Sequence, residues 1–553
     1  MNNILLTTRG WAKSEEQGCT VQAKGYGFRD ARLLKGDDLA AHVAQQMRQG
    51  IPFEAILKKL KGHFALVGEV DDKVYFGADT VRSYPLLYRT DNNSIADAIA
   101  SLVSEEDTMD MDSMAEFSCA GYVTGQNTMY AGIKSLQGGE YGVVTSDGIV
   151  VHRYKTYTCT YSNDDEESLC RALDTVIENI FARSIEWCDG RQVIVPLSAG
   201  LDSRLIVTAL KRFGYENVLC VAYGLPDNFE AVKSRQVAEE LGYEWLQVEY
   251  KPEEMRRVFR SEEMYTYMEY AHNGVSFPFM DDWMMTRELK NRKLISEDAV
   301  FMPGHTGDFI VGSHLKYLLD PEFHDDAEDV EGAIIGKHFS LWTDLISQPA
   351  IRQAILERIR GQYTQWPMQH TEQRAAVYES WECSERQFKY CVNGARVFEY
   401  FGYDWCLPLW DDDMVEFWEK VSIGLKMDSY LYRKYLATYD LFGLFQSDLR
   451  DERWDREAAI RARQEKLSCS KSRRLEDFLK NIRVLDAVFK TKRLHRSHRK
   501  FYEKHASGFP KLYGYWRYTW RELPKRHHIS LFLNDVIKEL YGASGHKLLA
   551  RLD

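Results

Sequence analysis

The chain has 553 residues and a formal net charge of −12. At roughly 100–200 residues per domain that predicts about three structural units, and the acidic surplus argues against a general nucleic-acid binder. With 44% hydrophobic residues the core can be large without a stapling disulfide or metal.

The ten cysteines form no Cys-x-x-Cys pair and no zinc-ligand spacing. Reduced, buried thiols and a cytoplasmic location are therefore expected. The opening Met1-Asn2-Asn3-Ile4-Leu5-Leu6 has no basic n-region, so no signal peptide is expected. No run approaches the ~18–20 apolar residues that a membrane-spanning helix needs.

Up to about residue 155 short β-like runs dominate. Phe64–Val70 and Val74–Gly77 flank the turn Asp71-Asp72-Lys73 as a hairpin would. Pro85–Tyr88 reads as a further strand, and Val143-Val144 and Ile149–Val151 read as a second hairpin around Ser146-Asp147-Gly148. A helix near Asp38–Gln49 is the exception. The polar stretch 161–166 reads as a linker. An amphipathic helix over Ser168–Trp187 follows, with Leu169, Leu173, Val176, Ile177 and Ile180 at helical spacing.

The rhythm then changes. Val193-Ile194-Val195-Pro196-Leu197 is a solid apolar run, the mark of a strand buried on both faces. A loop, a helix over Leu205–Phe213, a strand over Val218–Tyr223, a helix over Glu230–Leu241 and a strand over Trp245–Val248 come next. This alternation predicts a doubly wound parallel sheet, whose ligands sit at the carboxyl ends of its strands. From about 340 onward the chain reads mostly helical. Residues 471–500 are dense in Lys and Arg, which fits either a patch for an anionic partner or a solvated helical face.

The loop Ser198-Ala199-Gly200-Leu201-Asp202-Ser203-Arg204 ends the first buried strand. Its small residues let successive N–H groups converge on one spot, and the following helix adds its positive end, so the loop suits phosphate. Asp202 would repel bare phosphate and makes sense as a Mg²⁺ ligand. No Walker A pattern occurs, and Pro196 stands where a nucleophile elbow needs glycine. A tight turn capped by Ser and Asp is the plain alternative.

This loop resembles the Ser-Gly-Gly-x-Asp-Ser pyrophosphate loop of N-type ATP pyrophosphatases, with Ala199 replacing one Gly. Downstream, Pro303-Gly304-His305-Thr306-Gly307-Asp308-Phe309 resembles the Gly-x-Gly-x-Asp-Glu segment of asparagine synthetases. The resemblance implies ATP as cosubstrate, Asp308 as second Mg²⁺ ligand beside Asp202, and Tyr223, Gly224 and Gly304 as further nucleotide contacts. It puts His305 where family members carry a Glu or Tyr that helps deprotonate the attacking amine. A histidine titrates in the right range for that task, or it is a loop residue that merely hydrogen-bonds. Phe309 departs from the family's acid.

Gly402-Tyr403-Asp404-Trp405-Cys406-Leu407-Pro408 resembles the family's Gly-x-Glu-x-Arg-x-Pro, with Asp404 at the Glu position and Cys406 replacing Arg. The family's catalytic lysine has two candidates, Lys426 and Lys434, because a cation is needed where pyrophosphate departs.

The front resembles the family's Ntn-like glutamine amidotransferase domain, at Gly62-His63-Phe64-Ala65 and at Asp79–Tyr88. That chemistry needs an N-terminal cysteine, and Met1-Asn2-Asn3 offers none; Cys19 would serve only after processing. The expected architecture is α/β with an α+β front: an Ntn-like β-rich sandwich at 1–160 without glutaminase activity, a doubly wound ATP pyrophosphatase domain at 165–450, and a basic helical extension at 451–553. The implied activity is AMP-forming ligation of a small or carrier-linked carboxylate to ammonia or an amine, as in asparagine biosynthesis. No nucleic-acid partner is expected, and a homodimer is left open. The alternatives are a catalytically dead nucleotide-binding scaffold and another pyrophosphatase-loop ligase, such as a tRNA-modifying or NAD-forming one.

Overall fold

The computed structural model of the protein describes residues 3–446 apart from 163, 225–227, 259–260 and 322. The basic segment 471–500 and the expected extension 451–553 lie outside the described residues.

The front is β-rich. Lys61–Val70 and Lys73–Ala78 pair antiparallel with Val70 opposite Lys73. Asp71 and Asp72 both take positive φ, 50° and 58°, the conformation that matches a two-residue turn to the twist of the strands. The second expected hairpin is also present, as Glu140–Thr145 and Gly148–Arg153. Cys19–Arg29 joins this seven-stranded sheet between Lys61–Val70 and Trp11–Glu16. The helix Gly36–Arg48 buries Leu39, Val43 and Met47 in a core with Val21 and Leu66. The expected strand at Pro85–Tyr88 begins only at Leu87 and belongs to a separate four-stranded sheet. Proline has no N–H to give a ladder, which accounts for the late start.

The linker ends at Asp165, whose side chain accepts the N–H of Ser168 and caps the helix Glu166–Cys188. Beyond it lies a five-stranded sheet, parallel throughout. Its spatial order is Glu244–Glu249, Val218–Gly224, Val193–Pro196, Val300–Phe301, Asp404–Trp405. In chain order that is 3-2-1-4-5, so the winding reverses between Val193–Pro196 and Val300–Phe301. Ligand crevices in doubly wound sheets open at such a reversal. The two glycine-bearing loops leave the carboxyl ends of the two strands that flank it.

The first helix of this sheet departs from expectation. It spans Leu201–Arg212, starting four residues before Leu205. Gly200 is its N-cap, so Asp202 and Ser203 stand in the first turn, where an acid complements the helix dipole and free N–H groups remain. From Val330 to Thr438 the described chain is mainly helical. Among the described residues no helix is long and apolar enough to cross a membrane.

Front and rear share one buried cluster running from Tyr26 to Phe445. Tyr26 stacks on Trp187 at 4.1 Å, Lys24 pairs with Glu399, and Arg183 grips Asp411 and Asp413 at 2.6 and 2.7 Å. Asp412, at the same seam, accepts Thr80 Oγ1 at 2.7 Å and the Gly62 N–H at 3.3 Å. Burial, then Asp411, push its carboxyl from 3.8 up to about 7. Between those pH values the folded chain binds the extra proton, so Asp412 makes stability fall as pH rises, by up to about 1.4 kcal/mol per pH unit. Asp412→Asn is expected to flatten that part of the profile. Denaturant unfolding of both proteins from pH 4 to 8 checks it, and parallel profiles would refute the assignment.

Candidate functional site

The Ser198–Ser203 loop is tied from within. The Ser203 hydroxyl accepts the Ser198 N–H at 3.1 Å and lies 3.1 Å from Ser198 Oγ, which accepts the Gly200 N–H at 3.0 Å. Arg204 sits behind the loop. Its guanidinium donates to the carbonyls of Ala199 at 2.6 Å and Leu444 at 2.9 Å. Arg204 was expected to face the nucleotide; instead it is buried and turns the loop's carbonyls backward. Leu201 packs against the core in the same turn. With its carbonyls drawn back, the loop is left to present N–H groups at the helix start.

The second loop closes on the first. The Asp308 N–H donates to Asp202 Oδ2 at 3.0 Å. Glycine makes this approach feasible: a Cβ at Gly304 would stand 2.8 Å from the Ser203 nitrogen, and one at Gly307 would stand 2.5 Å from Asp202 Oδ1. Burial, then the facing Asp308, push the Asp202 carboxyl up to about 7, partly offset by Tyr432, the Asp308 N–H and Arg433. Arg433 offsets the two facing carboxylates only in part, and a divalent cation between them would offset the rest. Mg²⁺ takes one or two protein carboxylates and completes its shell with phosphate oxygens and water. Asp202 and Asp308 supply two such carboxylates; among the described residues no group of three or more His, Cys, Asp or Glu is placed to hold a metal.

The loops border two cavities. One, of about 240 Å³, is walled by Ser198, Gly200, Asp202, Tyr223, Gly304 and His305. Tyr223 stacks on Tyr250 at 5.4 Å. Gly224, at φ 122°, lets the chain turn out of the strand while its carbonyl accepts the Tyr250 N–H. The other cavity, of about 710 Å³, has Asp308, Phe309 and Gln387 in its wall.

His305 lies between the rings and acids of the smaller cavity. Its Nε2 approaches Asp282 Oδ2 to 3.4 Å, beyond a good hydrogen bond, Phe279 packs edge-on at 5.2 Å, and among the described residues neither Nδ1 nor Asp282 Oδ2, both buried, has a hydrogen-bond partner. With the proton placed on Nε2 beside Asp282, Nδ1 carries a free lone pair. Asp282, in the first turn of the helix Asp281–Asn291, was not singled out from the sequence. Neither was Gln387, which accepts the Thr306 hydroxyl at 2.7 Å from a π-helical stretch, Cys383–Cys391. No local signal marks either pairing; only an acid-rich helix start at Asp281-Asp282 hints at the first.

Three expected catalytic residues lie elsewhere. Asp404 occupies the amino end of its strand, opposite Val300, and pairs with Arg191 at 2.6 Å. The loops leave the carboxyl ends, so Asp404 sits at the wrong edge of the sheet. Lys426 is fully buried and bonded to Glu379 at 2.5 Å. Lys434 pairs with Glu166 at 2.5 Å on the outer side of the helix Tyr430–Thr438. Its neighbour Arg433, about 100° around that helix, is the cation whose charge reaches Asp202. Phe309, in the family's acid position, is buried and stacks on His314 at 4.4 Å. Cys406 fills a core position beside Tyr26 and Ser184.

A parallel sheet with a glycine-bearing loop and an acidic pair at its reversal makes this an α/β domain whose loop geometry suits a phosphate-bearing ligand. Residues 184–439 match the family model for asparagine synthase. No curated protein matches the chain. Among solved structures, it is similar to the NH3-dependent NAD synthetase of Campylobacter jejuni subsp. jejuni NCTC 11168 at 16% identity, over 27% of this chain and 61% of that one, with a TM-score of 0.18. It is similar to the glutamine phosphoribosylpyrophosphate amidotransferase of B. subtilis at 10% identity, over 53% and 63%, with a TM-score of 0.17. The chain spans about six-tenths of the length of each.

Proposed function

We propose that the protein is an ATP-dependent, AMP-forming amide ligase. The supporting observation is the meeting of Asp202 and Asp308 between two cavities at the reversal of the sheet. In this reading the smaller cavity takes ATP and the larger one a carboxylic acid. The carboxylate oxygen attacks the α-phosphorus, the bond to pyrophosphate breaks, and an acyl-adenylate forms. The helix-start N–H groups and the Ser198 and Ser203 hydroxyls hold the phosphates. Asp202 and Asp308 would hold Mg²⁺, which when bound offsets the charge of the departing pyrophosphate, and Arg433 adds a fixed positive charge. An amine then attacks the acyl carbon, AMP leaves, and His305 Nδ1 takes the amine's proton while Asp282 holds the ring.

The front is proposed to act without glutaminase chemistry, so ammonia or an amine arrives from solution. The nine cysteines among the described residues are all buried, and burial raises the Cys19 thiol; a reactive thiolate needs the opposite environment.

The test is incubation with ATP, Mg²⁺, an amine and a panel of carboxylic acids, followed by separation of nucleotides. Acid-dependent AMP with pyrophosphate is expected; ADP, or no nucleotide turnover with any acid, sinks the reading. His305→Ala is expected to slow amide formation roughly 10²–10⁴-fold while acid-dependent pyrophosphate release persists. Asp282→Asn is expected to act in the same direction, with a shifted pH profile. Equal loss of both half-reactions in His305→Ala would remove the histidine from the proton transfer.

A further inference from the structure

The larger cavity carries a charge pattern that the adenylation reading leaves unused. Lys316, Lys337 and Arg386 line it against Asp308 and Glu382. Lys337 is committed, with Nζ 2.6 Å from both Glu382 oxygens. His338, which lies 3.3 Å from Glu382, is pushed down to about 4 by burial and is neutral at physiological pH.

Arg386 and Lys316 differ. Among the described residues neither has an ion-pair partner. Arg386 meets Cys391 Sγ at 3.2 Å and lies 5.6 Å from the Tyr390 ring. Lys316 lies over Tyr317 and Phe323, 5.4 Å from each. No carboxylate lies within ion-pair distance of either cation among the described residues, and Glu382, already committed to Lys337, supports the Arg386 charge only from farther off; a guanidinium left with free N–H groups suits the planar fork of a carboxylate or the face of a phosphate.

Size points the same way. A cavity of about 710 Å³ falls in the range of roughly 300–1,000 Å³ that encloses drug-sized ligands, well beyond a four-carbon amino acid. Tyr317 and Phe323 meet edge to face at 5.0 Å, and Phe323 stays 51% exposed. Together they offer an apolar surface beside the two cations.

We propose that the acid taken by this cavity is of sugar-acid or dipeptide size and carries a second anionic group, phosphate or carboxylate, held by Arg386 and Lys316. This rests on the ligase reading only for which end reacts, the carboxylate beside Asp308. Arg386 shares its π-helical stretch with Gln387, which bonds Thr306 of the acidic loop, so the second anion is seated on the element that braces that loop.

Calorimetric titration of the full chain without ATP tests the proposal. D-glucuronate 1-phosphate and L-alanyl-L-glutamate are the dianionic probes; D-glucuronate, the amide-capped dipeptide and L-aspartate are the controls. At least one dianionic probe is expected to bind about tenfold or more tighter than its singly charged control and tighter than L-aspartate, and which one does so separates phosphate from carboxylate. Arg386→Gln and Lys316→Gln should each erase most of that advantage, and Arg386→Lys should restore part of it, with melting curves confirming the fold. No advantage for either dianion, or an advantage that survives both glutamine variants, overturns the proposal. Charge-selective binding without any AMP would instead fault the ligase reading and leave the cavity assignment standing.

Discussion

Replacing Asp202 by alanine is expected to lower acid-dependent pyrophosphate release by on the order of 10³-fold or more. The residue stands in the first turn of its helix, between two cavities, with its carboxyl raised by burial and by Asp308. It also has a mechanical task, because Oδ2 accepts the Asp308 N–H at 3.0 Å. The alanine variant removes both roles. Asp202→Asn separates them, since an amide oxygen still accepts that N–H but brings no charge for a cation. If charge is what counts, the asparagine variant falls as far as alanine. Asp308→Asn should fall comparably, and the double variant should be little worse than either, because residues that act as one unit are not additive. Excess Mg²⁺ should rescue neither. A continuous pyrophosphate assay with AMP quantified in parallel is the readout. An Asp202→Asn enzyme within tenfold of the parent would mean that the carboxylate only braces the loops.

What could be read ahead of the coordinates was whatever leaves a local imprint. Val193–Pro196 was legible because a strand covered on both faces is solidly apolar, and the loop after it because small residues and one acid have few other uses there. The helix start was misplaced by four residues because Asp202 and Ser203 are poor helix formers in mid-helix, yet favourable in a first turn. Asp404–Trp405 has two residues and no periodicity; its neighbour Val300 is 104 positions away, so only the assembled sheet shows that the motif's acid falls on the amino edge. A cation beside the loop was expected from chemistry, but which residue lies near Asp202 could not be read: on a helix one step in sequence turns a side chain by about 100°, and that step separates Arg433, near Asp202, from Lys434, on Glu166. His305 and Asp282 meet only because the loop and the helix start face one cavity.

Lys426→Met is the second large effect, expected to cost about 3–5 kcal/mol of stability. Lys426 and Glu379 are both 0% exposed, with Nζ and Oε1 2.5 Å apart. Glu379 also accepts the Tyr161 hydroxyl at 2.6 Å and lies 3.3 Å from His314 Nε2. The lysine stands 3.4 Å from Tyr157 Oη and 3.5 Å from Cys159 Sγ. The pair therefore joins the segment that leaves the front, a helix of the rear, and the chain just beyond Asp308. Burial alone would raise the Glu379 carboxyl, but Lys426 and His314 outweigh it and hold it well below the carboxylate range. A depressed acid contributes stability that is present above its unfolded value, near 4.5, and is lost as pH falls below it. Methionine removes that contribution, so the deficit should be widest near neutrality and narrow in acid. Lys426→Met/Glu379→Leu, which leaves no buried charge behind, should recover most of the loss. Denaturant unfolding at pH 4 and pH 7 measures both. The stable double variant then decides the chemistry: pyrophosphate release within about tenfold of the parent makes Lys426 a structural cation, whereas a loss beyond a hundredfold in a folded protein would return it to the reaction.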